Sequence, residues 1–320
     1  MAGSKFSISQ LGIICAVSAS LNFTITDACI KFLSGDYPLH QIILIRSVLA
    51  LIVTLALFVP LEGGYRILRT QKLRMHLMRG LFVVLANSFF FIGIASVPLS
   101  QATALFFVAP IIITLFSVIF LREKVGRFRW FATVLGLTGA VIMLRPNSDD
   151  FQVLALFPLL AAVCYAGLHT MSRKMGGTEK ASTMSFYVNL SFIFVSIVMA
   201  LSVGDGRFGN SDNVAVQFMF RAWVWPQSTD LWILGLIGLT SAMGGFLIGQ
   251  AYRLCEAALI APFEYVALVL AVIWGIVIFN EWPDLLGILG IALILSSGLV
   301  VVWREAVLKR RHRATLLQQR

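Results

Sequence analysis

Apolar runs of roughly 20 residues follow one another from end to end of the chain, each closed by a short polar break. A helix of roughly 20 apolar residues crosses a hydrocarbon core of about 30 Å. The pattern therefore predicts an all-α integral membrane fold with ten transmembrane helices, near 9–33, 39–61, 76–96, 99–121, 128–145, 152–174, 182–204, 231–252, 257–279 and 284–304. The breaks carry turn chemistry at Gly35 to Pro38, Glu62 to Gly64, Pro98, Arg145 to Asn147, Gly176 with Gly177, and Pro283. The run from Leu11 to Leu33 exceeds the 7–15 residues of a signal-peptide core, so it is expected to be retained. One connection is long: residues 205–230 read as an outer-surface insertion, with substrate gating as the alternative. Its Trp223 and Trp225 suit the headgroup zone.

Composition removes soluble classes. The 320 residues are 59% hydrophobic and 12% charged, with mean hydropathy +0.89, against about 25% charged in soluble domains. The net charge of +10 is scattered through short connections rather than gathered into a patch, which argues for topology and against nucleic acid. With an inside N-terminus, twenty Lys and Arg fall on the cytoplasmic side: Lys5; Arg66, Arg69, Lys72, Arg74 and Arg79; Arg122, Lys124, Arg127 and Arg129; Arg173, Lys174 and Lys180; Arg253; and six from Arg304 to Arg320. Four, Lys31, Arg145, Arg207 and Arg221, fall outside, and Arg46 lies in a span. Both termini are expected in the cytoplasm. Cys15, Cys29, Cys164 and Cys255 sit singly in apolar runs and read as small hydrophobes.

A shift of 158 residues lays Ile94–Glu123 over Tyr252–Glu281 and sets Glu123 on Glu281. One further residue of offset sets Gly139 on Gly298, and a weaker shift of 143 sets Lys31 on Lys174 and Arg46 on Asn189. Five spans per half is an odd number, so the halves would be inverted in the membrane and could exchange conformations around a midplane site. The expected organisation is a first half at 1–146, a second at 147–304 holding the 205–230 insertion, and a basic tail at 305–320.

The run from Pro98 to Pro146, PLSQATALFFVAP through LREKVGRFRW to GLTGAVIMLRP, and its partner AALIAPFEY through FNEWPD resemble the drug/metabolite transporter superfamily with two EamA-type halves. With the Arg79-Gly80 pair, these stretches look most like the subgroup of S-adenosylmethionine uptake carriers and bacterial riboflavin transporters. The resemblance implies a multi-pass protein of the bacterial inner membrane, no cofactor, and a central cavity between the halves. It implies uptake of a small polar heteroaromatic metabolite, with riboflavin ahead of S-adenosylmethionine and export of amino acids or other metabolites as a further alternative. The 25 Phe, 7 Trp and 6 Tyr offer surfaces for stacking a planar ring. The expected partners are that substrate and the lipid bilayer; a homodimer stays open.

Ionisable groups inside spans are expensive and face a polar cavity or a partner. Glu264, two turns into its span and following Pro262, is the first substrate or proton site candidate, and Arg46 is either its structural ion-pair partner or a second site residue. Asp27 and Lys31, four apart on one face, form an ion pair or a gate. Asn87, Gln101, Tyr165, His169, Asn189, Gln250, Tyr252 and Tyr265 add hydrogen-bonding groups in or near spans, and all but Gln250 and Tyr252 complete the substrate-binding candidates. His169 serves either as an inter-helix donor or as a proton carrier. Glu123 and Glu281 sit at helix ends and are expected to pair structurally. Gly136 with Gly139, Gly244 with Gly245, and Gly287 with Gly290 are expected to allow close helix approach. A membrane enzyme would need a catalytic set such as HExxH, and the four His, at 40, 76, 169 and 312, form no helical pair. A channel would need a filter of carbonyls or charged rings, which no segment resembles.

Overall fold

The computed structural model describes residues 8–122, 126–144, 153–209, 212–255 and 257–318. Glu123 and the Arg145–Asp150 connection lie outside these residues. The described residues are helical, with no strand. The helices are α1 (Ile8–Leu33), α2 (Leu39–Glu62), α3 (Leu73–Ser96), α4 (Leu99–Leu121), α5 (Arg127–Leu144), α6 (Val153–Met175), α7 (Ala181–Val203), α8 (Val214–Phe220), α9 (Leu231–Leu254), α10 (Val266–Phe279) and α11 (Leu285–Gln318). Seven of them (α1, α2, α3, α4, α6, α7 and α9) are long and apolar enough to cross a membrane; the apolar helices at Phe263–Phe279 and Leu285–Val300 are shorter. Helix is the expected answer here, because in hydrocarbon each backbone N–H and C=O must be satisfied within its own segment.

Proline marks the irregular turns. Pro60 follows a π turn at Thr54–Phe58 in α2, where the missing N–H widens the ladder. In α4 the ladder breaks at Phe107 and Val108, just before Pro110 leaves the Phe106 carbonyl without its usual donor. Ahead of α10 the chain runs through two tight turns, Ala257–Ile260 and Ala261–Tyr265, the second holding Pro262. Arg122 and Asn280 end α4 and α10 in the left-handed conformation, the two non-glycine residues among those described that do so. They lie 158 residues apart, the spacing of the sequence repeat.

The packing pairs α5 with α11, α1 with α9, α3 with α6 and α2 with α7. Small residues set the closest approaches: a Cβ on Gly139 of α5 would stand 2.8 Å from the Gly290 carbonyl oxygen of α11, and one on Gly93 of α3 would stand 2.6 Å from Pro158 of α6. Gly244 lies against Phe23, whereas Gly287 meets only its neighbours Asp284 and Pro283 within 4 Å. Helix α11 runs on past 304 to Gln318, through a polar stretch rich in the helix formers Leu, Arg and Ala.

Candidate functional site

The irregular turns of α4 and of 257–265 pack against one another, with the Phe107 and Tyr265 rings 5.5 Å apart, beside a cavity of about 180 Å³. Its apolar wall is aromatic: Phe90 and Phe91 from α3, Phe106 and Phe107 from the α4 break, and Phe192 from α7. Its polar wall gathers Asp27, Arg46, Arg79, Asn87, Tyr165, His169, Asn189 and Glu264 from six different segments.

Glu264 is buried and its carboxylate is held by two hydroxyls. Tyr165 donates to Oε2 at 2.6 Å and Tyr252 donates to Oε1. The turn at Ala261–Tyr265 sets the carboxylate at this point. His169 lies between the same two tyrosines, with ring centroids 4.1 Å from Tyr165 and 4.2 Å from Tyr252. Arg46 donates from Nη2 to Asn87 Oδ1 at 3.2 Å and lies 4.8 Å from the Phe192 ring, a cation–π contact. Asn87 in turn donates to the Val83 carbonyl at 3.0 Å. A hydroxyl pair, Thr26 with Thr240 at 2.7 Å, ties α1 to α9 at the rim.

Both ion pairs expected from sequence are rearranged. Arg46 and Glu264 form no pair within 4 Å; their polar partners are Asn87 and the two tyrosines. Lys31 turns away from Asp27 and meets Glu281 Oε1 at 2.6 Å, while Glu281 Oε2 accepts from the Leu99 N–H at 2.9 Å. The physical reason is the free helix N-terminus of α4, whose exposed N–H attracts the carboxylate and so brings the Lys31 partner. Asp27 stays on the cavity wall. Two residues fall away from the cavity: Gln101 faces elsewhere on α4, and Tyr265 packs its ring against Gly298 and Phe107. Sequence reasoning missed Arg79, which reads as a loop cation but is buried on the cavity wall. Tyr252, a hydrogen-bonding group of the sequence reading outside the binding candidates, holds the Glu264 carboxylate twelve residues on.

Polar clasps lie at either end. On the side of the 63–72 and 176–180 connections, Glu62 accepts from Ser182 N–H at 2.8 Å and Oγ at 2.6 Å, and from Gln250 Nε2 at 2.8 Å. Nearby, Glu179 accepts from Thr70 at 2.8 Å and its other oxygen lies 3.4 Å from His76 Nε2. At the opposite end the 205–230 segment, carrying α8, is stitched to the α1–α2 corner. Tyr37 donates to Asp230 at 2.6 Å, Gln41 exchanges two hydrogen bonds with Val224 at 2.6 and 3.1 Å, His40 lies 3.1 Å from the Met219 carbonyl, and Arg221 donates to the Gly35 carbonyl. Under α8 lies a second hollow of about 110 Å³ that shares Asn87 and Phe192 with the central cavity.

A cavity lined from both halves of the chain by aromatic and ionisable groups together is the arrangement of a solute carrier. Residues 10–145 match the EamA-like transporter family. That match covers the first half of the chain. The chain is 29% identical over 306 residues to a riboflavin transporter of Vibrio cholerae, covering 94% of this chain and 96% of that one. It is 27% identical to an S-adenosylmethionine uptake transporter of Rickettsia prowazekii, over 88% of this chain and 89% of that one. It is 28% identical to a pseudopaline exporter of Pseudomonas aeruginosa, over 89% and 94%. A solved structure at 18% identity superposes with a TM-score of 0.68 over 94% of this chain and 99% of that one, which shows a shared fold. The matched family and the named relatives are transporters, not enzymes, and with the long apolar helices they support general transport of small molecules by a multi-span membrane protein.

Proposed function

We propose that the chain crosses the bacterial inner membrane ten times, as two inverted five-helix EamA halves at 1–146 and 147–304 followed by the 305–320 tail, with both termini cytoplasmic. The helix packing supports this reading. Exchanging each helix for its counterpart in the other half turns the α1–α9 contact into the α6–α3 contact, the α4–α6 contact into the α10–α1 contact, and returns α2–α7 and α5–α11 to themselves. The matched left-handed caps at Arg122 and Asn280 support it again. The excess of cytoplasmic Lys and Arg supports the orientation. A cysteine placed at Lys72 is expected to escape an impermeant thiol reagent added to intact cells and to react after lysis; labelling in intact cells rejects the orientation.

The cargo of this secondary transporter is a polar metabolite with a planar heteroaromatic ring, and the direction is uptake. The observation that carries this reading is the cavity that Phe90, Phe91, Phe106, Phe107 and Phe192 line together with Tyr165 and Glu264, whose carboxylate Tyr252 also holds. Rings favour offset or edge contacts with such walls. The carboxylates of Asp27 and Glu264 favour a substrate with cationic groups, as in S-adenosylmethionine, whose sulfonium and amine they would face. Riboflavin is the second reading. It uses the same rings and the neutral groups of Asn87, Asn189 and Tyr165, and the Vibrio cholerae relative supports it. The cavity of about 180 Å³ is smaller than the roughly 300–1,000 Å³ of typical ligand sites, so either substrate requires it to widen. Cells expressing the protein are expected to accumulate labelled S-adenosylmethionine. No accumulation, together with rescue of a riboflavin auxotroph on external vitamin, reverses the order; failure of both removes the heteroaromatic class.

A further inference from the structure

Arg79 has a chemistry that neither substrate cation nor ring explains. It lies in α3, is 4% exposed, and lines the cavity. Its Nε donates to Ser172 Oγ at 3.0 Å, and that hydroxyl donates onward to the Leu168 carbonyl at 2.8 Å. Its Nη1 is buried without a partner. Among the described residues no carboxylate comes within 4 Å of the guanidinium. Glu179, the nearest acidic influence on Arg79, accepts from Thr70 and stands 3.4 Å from His76 Nε2. One turn up α6 from Ser172, both ring nitrogens of His169 are likewise buried without a partner. A buried guanidinium with no carboxylate in contact is costly, by several kcal/mol on general estimates, and inside a membrane such groups mark the substrate path.

We propose that Arg79, with Ser172 and His169, forms the docking point for an anionic group of the substrate, a carboxylate or a phosphate. Two terms of geometry fit this assignment. The planar fork of Arg matches the two oxygens of such a group, and the free Nη1 supplies one of the donors. Asn87, which holds Arg46, stands eight residues further along α3, about 12 Å of helix rise. Arg46 and Arg79 are therefore held at different levels of α3, so the acidic group sits against Arg79 and the ring beyond it, among the phenylalanines. This inference rests on reading the cavity as the substrate site, and it adds to the ring and the cationic groups a third requirement: a substrate with an acidic end.

The test uses matched pairs that differ at the acidic group: S-adenosylmethionine against its decarboxylated form, and flavin mononucleotide against riboflavin. Binding to the purified full-length protein is measured for wild type, Arg79→Gln and Arg79→Lys, with monodispersity checked for each. In the pair that binds, wild type is expected to favour the acid-bearing member by about tenfold or more. Arg79→Gln erases most of that preference by weakening the acid-bearing member far more than its counterpart, and Arg79→Lys restores part of it. Equal affinity for both members in wild type overturns the docking point and leaves the substrate site standing, whether or not the variants fold. Equal weakening of both members in Arg79→Gln also overturns it, because that is the signature of a packing bolt between α3 and α6. Failure of all four compounds to bind removes the heteroaromatic substrate class, and the docking point with it.

Discussion

Replacing Glu264 with Gln lowers flux in proteoliposomes by on the order of 100-fold while the protein still inserts. The carboxylate accepts hydroxyl hydrogens from Tyr165 and Tyr252 at once, one on each oxygen. A glutamine keeps the shape but offers one acceptor oxygen and one NH2 donor, so one tyrosine must turn its hydroxyl away. Losing a hydrogen bond to a charged group costs about 1.5–3 kcal/mol, and each 1.4 kcal/mol is a factor of about ten. Burial makes the loss hard to recover from water, since Glu264 is only 6% exposed. The charge lost is also one of the two that face the cationic part of the proposed substrate. Tyr165→Phe, which leaves the carboxylate one donor, is expected to fall between wild type and Glu264→Gln. Wild-type flux from Glu264→Gln at equal protein per vesicle removes Glu264 from the transport path.

The second large effect concerns packing. Gly139→Ala is expected to destabilise the protein by about 2 kcal/mol and lower its melting temperature, whereas Gly235→Ala is neutral or mildly stabilising. Both lie inside helices, where Ala is favoured over Gly by about 1 kcal/mol. At Gly235 a Cβ meets nothing within 4 Å, so the propensity term acts alone. At Gly139 the new carbon would stand 2.8 Å from the Gly290 carbonyl oxygen, 3.0 Å from Ile294 and 3.0 Å from Leu293 Cβ. A backbone atom cannot swing aside, so α5 and α11 must part, and overpacking of that kind costs about 1–3 kcal/mol. Thermal melts in one detergent measure both variants. An unchanged melting point for Gly139→Ala refutes the close approach of α5 and α11.

The spans were legible because length and apolarity set them, and the expected 39–61 and 99–121 lie within a residue of the helices at Leu39–Glu62 and Leu99–Leu121. The run past 304 was not, since the sequence signal marks where a helix leaves lipid and not where it stops being helical. Glu264 and Arg46 were legible as cavity residues because a charge inside an apolar run must face something polar. Their partners were not. In lipid a helix can be apolar all round, so periodicity does not say which face meets which neighbour. Lys31 was therefore assigned to Asp27, four residues away, when Glu281, 250 residues away, is the group it reaches. Arg79 was obscured for a related reason: its position near a span end matched the positive-inside pattern that explains the other arginines of its neighbourhood.

The stitched 205–230 segment bears on energetics as well as shape. Two identical inverted halves would make the inward-facing and outward-facing states mirror each other, with equal free energies and equal populations. The segment breaks that degeneracy, because the hydrogen bonds that join it to Tyr37, His40 and Gln41 exist at one mouth only. Each such bond is worth about 0.5–1.5 kcal/mol net, and a few of them together tilt a two-state equilibrium by factors of ten to a thousand. On the proposed topology the two states therefore differ in free energy, set by these bonds at one end and by the Glu62 and Glu179 clasps at the other, and an arriving solute shifts the balance only by its differential binding.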